Sequence, residues 1–271
     1  MLINLLKKIS LLPLIILSQL IGLIFLDGIL AIFVTNENIH SYQLVKMLLT
    51  YIFVFFILLF YNKYILKEKL DYIWLRFSIK HFLMGYLKGI LITTLIFMIT
   101  IFTGNVSFNG INNSFIILSI LFFIGFIFQA SCEELIIRGF VTRWIYHRFG
   151  KLLSVIMPSI LFSALHLSNP SFNFFGFLNT ILVGILFAQD MFKTNTIDYP
   201  SGFHSSWNFF ISIIFGFNVS GIKTDSLFKF TYQNSPILGN GYGPEGSYII
   251  TIIILILIII NLYKKNLIKK Y

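Results

Sequence analysis

Charge is scarce in this chain of 271 residues, in which charged side chains make up 11% of the sequence. Soluble domains carry about 25% charged residues. Because 57% of the residues are hydrophobic, the shortage excludes an ordinary soluble enzyme and predicts an all-α fold, a polytopic bundle of membrane helices. Acidic residues are scarcer than basic ones, with 10 Asp and Glu against 20 Lys and Arg.

The excess of basic residues does not indicate a nucleic-acid partner. Lys and Arg stand in short segments between apolar runs, such as 63–88 and 143–151, which is how they are distributed in the cytoplasmic loops of membrane proteins. A nucleic-acid-binding protein would gather them on one face or along one helix. We therefore expect a multi-pass protein of a cell membrane with both termini in the cytoplasm. Its richness in Lys, Asn, Ile and Phe suggests an AT-rich bacterial genome.

Cysteine is nearly absent, since Cys132 is the one cysteine of the sequence. An internal disulfide and a CxxC metal site are therefore both excluded. A buried lone cysteine usually behaves as a small hydrophobic residue, and we expect that of Cys132.

Long apolar runs predict about eight spanning helices, since a helix needs roughly 20 mostly apolar residues to cross a bilayer. The runs are 11–34, 44–66, 82–102, 114–147, 152–167, 172–191, 202–217 and 247–263. With these limits the basic segments fall on one side of the membrane. The loops near Asn36, Asn105 and Asn169, which contain no Lys or Arg, fall on the other side, and so does the long loop 218–246 despite Lys223 and Lys229.

Three polar fragments interrupt the apolar runs. The first, 129–138, contains Glu133, Glu134 and Arg138. The others are 162–166, Phe-Ser-Ala-Leu-His, and 204–208, His-Ser-Ser-Trp-Asn. A charged side chain at the centre of a membrane helix costs about 2.5–3.5 kcal/mol. A chain that accepts this cost at adjacent positions usually needs both carboxylates, and we expect the three fragments to form one site.

Each fragment uses a spacing of four residues, which places two side chains on one face of a helix. The pairs are Glu134 with Arg138, Gln129 with Glu133, Phe162 with His166, and His204 with Asn208. A carboxylate can take a proton from water, and a histidine can bind a metal or stabilise an oxyanion. The set therefore predicts hydrolysis, provided that the helices are tilted or offset enough for the fragments to meet.

The order Glu-Glu-x-x-x-Arg, Phe-x-x-x-His and His-x-x-x-Asn resembles the CPBP, or Abi, family of intramembrane proteases. That family includes CAAX prenyl proteases of type 2 and bacteriocin-processing or immunity proteins. The resemblance covers roughly 117–260, including the Tyr-Gly-Pro-Glu-Gly stretch at 242–246. It implies an eight-helix bundle with a water-accessible cavity. It also implies hydrolysis of a peptide bond in a membrane-associated protein or peptide.

The same resemblance implies roles for individual residues. Glu133 and His166 would position and activate the water, while His204 and Asn208 would stabilise the oxyanion. Glu134 would support the catalytic groups, together with Arg138 and Phe162, which shape the site. The family is commonly classed as metalloproteases, so His166, His204 and Glu133 are the candidate ligands of a divalent metal such as zinc. Their spacing is not HExxH, and a metal-independent mechanism stays open.

These inferences divide the chain into 1–110, N-terminal helices with a basic connector, 111–263, a catalytic helix bundle, and 264–271, a basic cytoplasmic tail. Two other functions compete with proteolysis. A non-enzymatic bacteriocin immunity or partner-binding membrane protein could retain the motifs. A transporter or proton relay would also explain glutamates and histidines inside the membrane, although the sequence lacks paired broken helices.

Overall fold

Apolar helices dominate the computed structural model, which describes residues 11–30, 39–104, 106–233 and 235–268. Within those ranges the α-helices are α1 (Leu11–Leu30), α2 (Ile39–Phe60), α3 (Ile79–Phe102), α4 (Ile116–Glu134), α5 (Thr142–Ala164), α6 (Phe174–Thr194), α7 (Asp198–Phe209) and α8 (Tyr248–Ile268). The predicted basic tail, 264–271, begins within α8, and residues 269–271 lie outside the described part of the chain.

Three helices continue into π-helical turns, which often occur at functional sites. The turns are Tyr61–Leu66 after α2, Leu135–Val141 between α4 and α5, and Phe210–Ile214 after α7. The second follows Glu134 directly, and the third begins two residues after Asn208. Both turns thus lie next to a polar motif, where the wider helix changes which side chains face the neighbouring helices.

The prediction of about eight membrane crossings is not confirmed. Four described segments are long and apolar enough to cross a membrane: His40–Leu66, Ile79–Phe102, Asn113–Ala164 and Phe174–Thr194. The predicted helices 114–147 and 152–167 run on as one segment of 52 residues, whose backbone departs from helical geometry at Gly150, with φ 78° and ψ −177°. Helix α7 has 12 residues and a polar sequence, so it does not reach the length of a spanning helix.

A two-stranded antiparallel sheet adds to the predicted all-α fold. Strand β1 (Val106–Ile111) pairs with β2 (Phe228–Tyr232), so that Val106 lies opposite Tyr232 and Phe108 opposite Phe230. Both segments were predicted as loops, yet each alternates aromatic or β-branched residues with polar ones, a pattern that favours strands. The pairing places loops 104–113 and 218–246 at the same end of the bundle, as predicted.

The opposite end of the bundle gathers the basic segments. The backbone N–H of Ile197 donates to the carbonyl of Trp74 over 2.8 Å, and that of Ser78 donates to Oδ2 of Asp198 over 2.6 Å. The guanidinium of Arg143 lies 4.9 Å from the Trp74 ring. The basic connector, the start of α5 and the α6–α7 turn therefore meet there. That this end faces the cytoplasm stays a prediction.

Helix α3 packs against α7 through glycines. A Cβ atom at Gly85 would lie 1.9 Å from the carbonyl oxygen of Tyr199, and one at Gly202 would lie 2.0 Å from that of Phe82. Side chains at these positions would therefore collide with backbone. This close contact fixes α7, the helix that carries His204 and Asn208, against α3.

A buried ion pair links three helices beside that contact. The ammonium of Lys88 on α3 donates to Oδ2 of Asp190 on α6 over 2.6 Å. The amide of Asn261 on α8 donates to Oδ1 of the same carboxylate over 2.9 Å. The Asp190 side chain is 4% exposed. Because a charge removed from water must be paired to be stable, both of its oxygens have a partner.

Candidate active site

The three polar fragments meet around one cavity of about 510 Å³. Its polar wall is formed by Gln129, Glu133, His166, His204 and Asn208, and Phe162 adjoins them. Helix α4 supplies the first fragment, α7 the third, and the end of α5 with the following turn the second. The helices are therefore offset enough for the three fragments to meet, which was the condition for the predicted site.

Adjacent positions on α4 place the two glutamates in different surroundings, because successive residues of a helix point about 100° apart. The side chain of Glu133 is 23% exposed and faces the cavity. That of Glu134 is fully buried. The two carboxylates therefore differ in access to water and to a substrate.

Glu134 accepts two hydrogen bonds on one oxygen. Nη1 of Arg138 donates to Oε1 over 3.0 Å, which is the predicted ion pair. Nδ1 of His204 lies 3.1 Å from the same oxygen and is therefore the nitrogen that carries a proton. The Arg138 guanidinium lies 4.6 Å from the Phe162 ring and 5.4 Å from the Phe187 ring. Aromatic faces and a carboxylate together stabilise this buried cation.

Glu133 keeps one oxygen available. Oε1 accepts a short hydrogen bond from the amide of Gln129, whose own oxygen accepts from Nδ2 of Asn208 over 3.0 Å. Among the described residues no hydrogen-bond donor reaches the buried Oε2. That atom lies 3.8 Å from Nε2 of His204. An unpaired carboxylate oxygen beside an imidazole nitrogen, at the wall of a cavity, is an arrangement that can hold a water molecule.

His166, four residues after Phe162, also lines the cavity. Its Nδ1 lies 2.8 Å from the Phe162 carbonyl oxygen and must donate, since a carbonyl only accepts. The neutral ring then presents an unprotonated Nε2. The Phe162 ring lies 5.0 Å from the His166 ring and 6.0 Å from the His204 ring. Phe162 thus packs against both histidines in edge-to-face contacts.

The predicted metal ligands do not gather into a metal site. A catalytic zinc site usually has three protein ligands around the ion. In the part of the chain that the structure describes, no group of three or more His, Cys, Asp or Glu side chains is placed to hold a metal ion. Oε2 of Glu133 and Nε2 of His204 lie 3.8 Å apart, and His166 does not complete a group of three with them. The requirement for a metal stays a prediction, and the chemistry below passes no step through one.

Several side chains of the cavity were not assigned to the site from the sequence. Gln129 connects Asn208 to Glu133, and its position four residues before Glu133 was the available signal. Tyr51 on α2 also lines the cavity, and an isolated tyrosine in an apolar run gives no signal. Trp207 and Glu245 line the wall toward loop 218–246.

Residues 113–210 match a family model described as type II CAAX prenyl endopeptidase, Rce1-like. This range contains all three polar fragments, from Gln129 to Asn208. No curated protein and no solved structure matches the chain. The family is one of proteases, and the apolar helices indicate a membrane protein. The match of residues 113–210 supports a CAAX-protease-like family, the one that the three motifs predicted.

Proposed function

We propose that this protein is an intramembrane endopeptidase that hydrolyses a peptide bond of a membrane-associated protein or peptide. One observation carries the proposal. Oε2 of Glu133 is buried, unpaired among the described residues and 3.8 Å from Nε2 of His204 at the cavity wall. Oε2 of Glu134 is also unpaired, but Glu134 does not line the cavity. The free oxygen of Glu133 is therefore the one that can hold the nucleophilic water that hydrolysis requires.

In the first step Glu133 acts as general base. Its Oε2 takes a proton from the water, while the water oxygen attacks the carbonyl carbon of the scissile bond. The Gln129 amide orients the carboxylate through Oε1. His166, with its unprotonated Nε2 facing the cavity, accepts a hydrogen bond from the water and helps to fix its direction.

The attack places a negative charge on the carbonyl oxygen. Asn208 has two N–H donors. One is bound to Gln129, and the other can donate to the oxyanion. In its protonated form His204 keeps its Nδ1 proton on Glu134 and donates from Nε2 to the same oxyanion. Collapse of the tetrahedral intermediate follows when Glu133 returns its proton to the amine nitrogen, which breaks the peptide bond.

The remaining cavity wall fits a substrate held in the bilayer. Apart from the polar residues above, the wall is mainly apolar, with Leu44, Leu48, Phe122, Phe126, Val183 and Ile250 among its members. Such walls bind apolar side chains and leave a few polar groups to fix orientation. Leader peptides, pheromone precursors and other membrane proteins are the substrates that we propose for a bacterial chain of this composition.

The experiment compares peptides released from membranes of cells that express the native chain or Glu133→Gln, at matched protein levels. The amide of Gln can still accept from Gln129 but cannot take a proton from water. We expect a set of cleavage products that appears with the native chain and with Glu68→Gln, a control at an exposed glutamate, and disappears with Glu133→Gln. Identical peptide profiles for all three would favour the non-enzymatic immunity or partner-binding function.

A further inference from the structure

Glu245, in the turn before α8, lines the cavity as Glu133 does, and it is the second carboxylate at the cavity wall among the described residues. It lies outside the matched range 113–210, and within the described part of the chain it forms no ion pair with a basic residue. Neutral donors satisfy it instead. Oε1 accepts from the indole Nε1 of Trp207 over 2.7 Å. Oε2 accepts from the backbone N–H and the hydroxyl of Ser220, over 2.6 and 2.7 Å.

The bond to Trp207 connects Glu245 to α7, the helix that carries His204 and Asn208. Trp207 is buried on α7, one residue before Asn208 and three after His204. An indole has a single polar donor, and a buried donor must be paired. The Glu245 carboxylate is that partner, so it fixes the rotation of the Trp207 ring and with it the face of α7 that carries both oxyanion groups.

Through its bonds to Ser220, Glu245 is also connected to the segment that contains His166. Ser220 stands in the tight turn closed by the pairing of Val219 with Ile222. The next residue, Gly221, has φ +80°, and a Cβ atom there would lie 1.9 Å from the carbonyl oxygen of Pro170. Pro170 belongs to the turn that starts after α5 and contains His166, whose carbonyl accepts from the N–H of Asn169 over 3.0 Å. The 219–222 turn therefore supports the segment of His166.

We propose that Glu245 is a positioning residue that sets the placement of His204 and Asn208 relative to His166. It does so by holding Trp207 with one oxygen and the 219–222 turn with the other. The inference rests on the proposed endopeptidase function, since it concerns the geometry of that reaction. A carboxylate suits this task because three donors converge on it, and a glutamine amide has one acceptor oxygen for them.

The test measures the rate of product release from membranes for Glu245→Gln, Trp207→Phe and the double variant, at equal amounts of protein that elutes as a single folded species. We expect each single variant to slow release about tenfold, since displaced catalytic groups lower the rate of the chemical step. The double variant should also be slowed about tenfold, because both changes break the same connection. Glu68→Gln serves as the matched control and should release products at the native rate.

A native release rate for Glu245→Gln or Trp207→Phe would overturn the inference, and so would a loss of about a hundredfold in the double variant, which marks independent effects. If Glu245→Gln does not fold, Trp207→Phe still tests the inference. It removes the bond between the indole and Glu245 and leaves the bonds between Glu245 and Ser220 intact. Failure of the proposed function has a different signature, namely that native and Glu133→Gln membranes release the same peptides.

A second readout needs no activity. The chain has three tryptophans, so Trp74→Phe with Trp144→Phe leaves Trp207 as the single indole. In that background Glu245→Gln should shift the Trp207 emission, since the indole N–H loses a charged acceptor. An unchanged spectrum would show that the carboxylate does not hold the ring and would overturn the inference.

Discussion

The buried carboxylate of Glu134 accepts a hydrogen bond, 3.1 Å long, from Nδ1 of His204 on a helix 70 residues further along the chain. The contact joins two of the three motifs and fixes the protonation of the imidazole, which leaves Nε2 directed toward Glu133. The neighbouring glutamates therefore have separate tasks. Glu134 orients His204, and in the proposed mechanism Glu133, which lines the cavity, takes the proton from water.

Glu134→Gln should destabilise the protein far more than Glu133→Gln. Removing Glu134 leaves the Arg138 guanidinium, which is 1% exposed, without its counter-charge. Breaking one partner of a buried pair costs about 3–5 kcal/mol. Thermal unfolding of the purified protein in detergent measures the difference. Glu134→Gln combined with Arg138→Met should restore stability without restoring activity, since the amide can still accept from His204 but no longer supplies the negative charge that stabilises its protonated form. Equal unfolding midpoints for Glu134→Gln and Glu133→Gln would contradict the assignment.

His166→Ala should lower the cleavage rate by about 10²–10⁴-fold, the usual contribution of a positioned acid–base group. The folded protein should lose little stability, because the ring makes one hydrogen bond to the backbone of its own segment. Product release and the unfolding midpoint are measured on the same preparation. The matched control is His147→Ala at an exposed position away from the cavity, which should keep the native rate. A rate equal to that control would remove His166 from the mechanism.

Chelation should leave cleavage unchanged. The described residues gather no group of three metal-ligating side chains, and Glu133 activates water without a metal in the mechanism proposed above. Membranes treated with a strong chelator are assayed for product release, and metal content is measured on the purified protein. Loss of cleavage that is restored by adding Zn²⁺ would instead support His166, His204 and Glu133 as ligands of a zinc ion.

Gly202→Ala should destabilise the bundle and displace α7. The added methyl group would stand 2.0 Å from the carbonyl oxygen of Phe82, and overpacking of this kind typically costs about 1–3 kcal/mol. The control is Leu91→Ala on α3, whose side chain is 72% exposed and faces away from the bundle. Unfolding midpoints in detergent should fall for Gly202→Ala and stay near the native value for Leu91→Ala. The reverse order would show that α3 and α7 do not pack through Gly202.

The parts of the site predicted from the sequence are those set by local helical geometry. A separation of four residues was enough to predict the Glu134–Arg138 pair and the shared face of Gln129 and Glu133, because the pitch of a helix depends on backbone alone. The contact between Glu134 and His204 joins different helices, so only its consequence, a common site, was predictable. The π-helical turn after Glu134 changes the register of side chains without a signature in the residue types.

For the fold, too, the sequence predicted local elements but not the contacts between distant segments. Apolar runs gave the helices, since each run must avoid water along its whole length. The sheet was missed because β1 and β2 depend on each other across more than a hundred residues, and neither strand is distinctive alone. The glycine contact between α3 and α7 was missed for a related reason. A glycine in an apolar helix shows that a neighbour can approach closely but does not show which neighbour it is.

The ion pair of Lys88 and Asp190 ties the segment that matches the protease family to a helix outside it. Both described partners of the Asp190 carboxylate oxygens, Lys88 and Asn261, lie outside the matched range 113–210. Excised from the chain, that range would carry a carboxylate into lipid with no counter-charge and would leave the glycine face of α7 bare. We therefore expect that residues 113–210 do not fold on their own, and that transplanting them into another membrane protein requires α3 and α8 to accompany them.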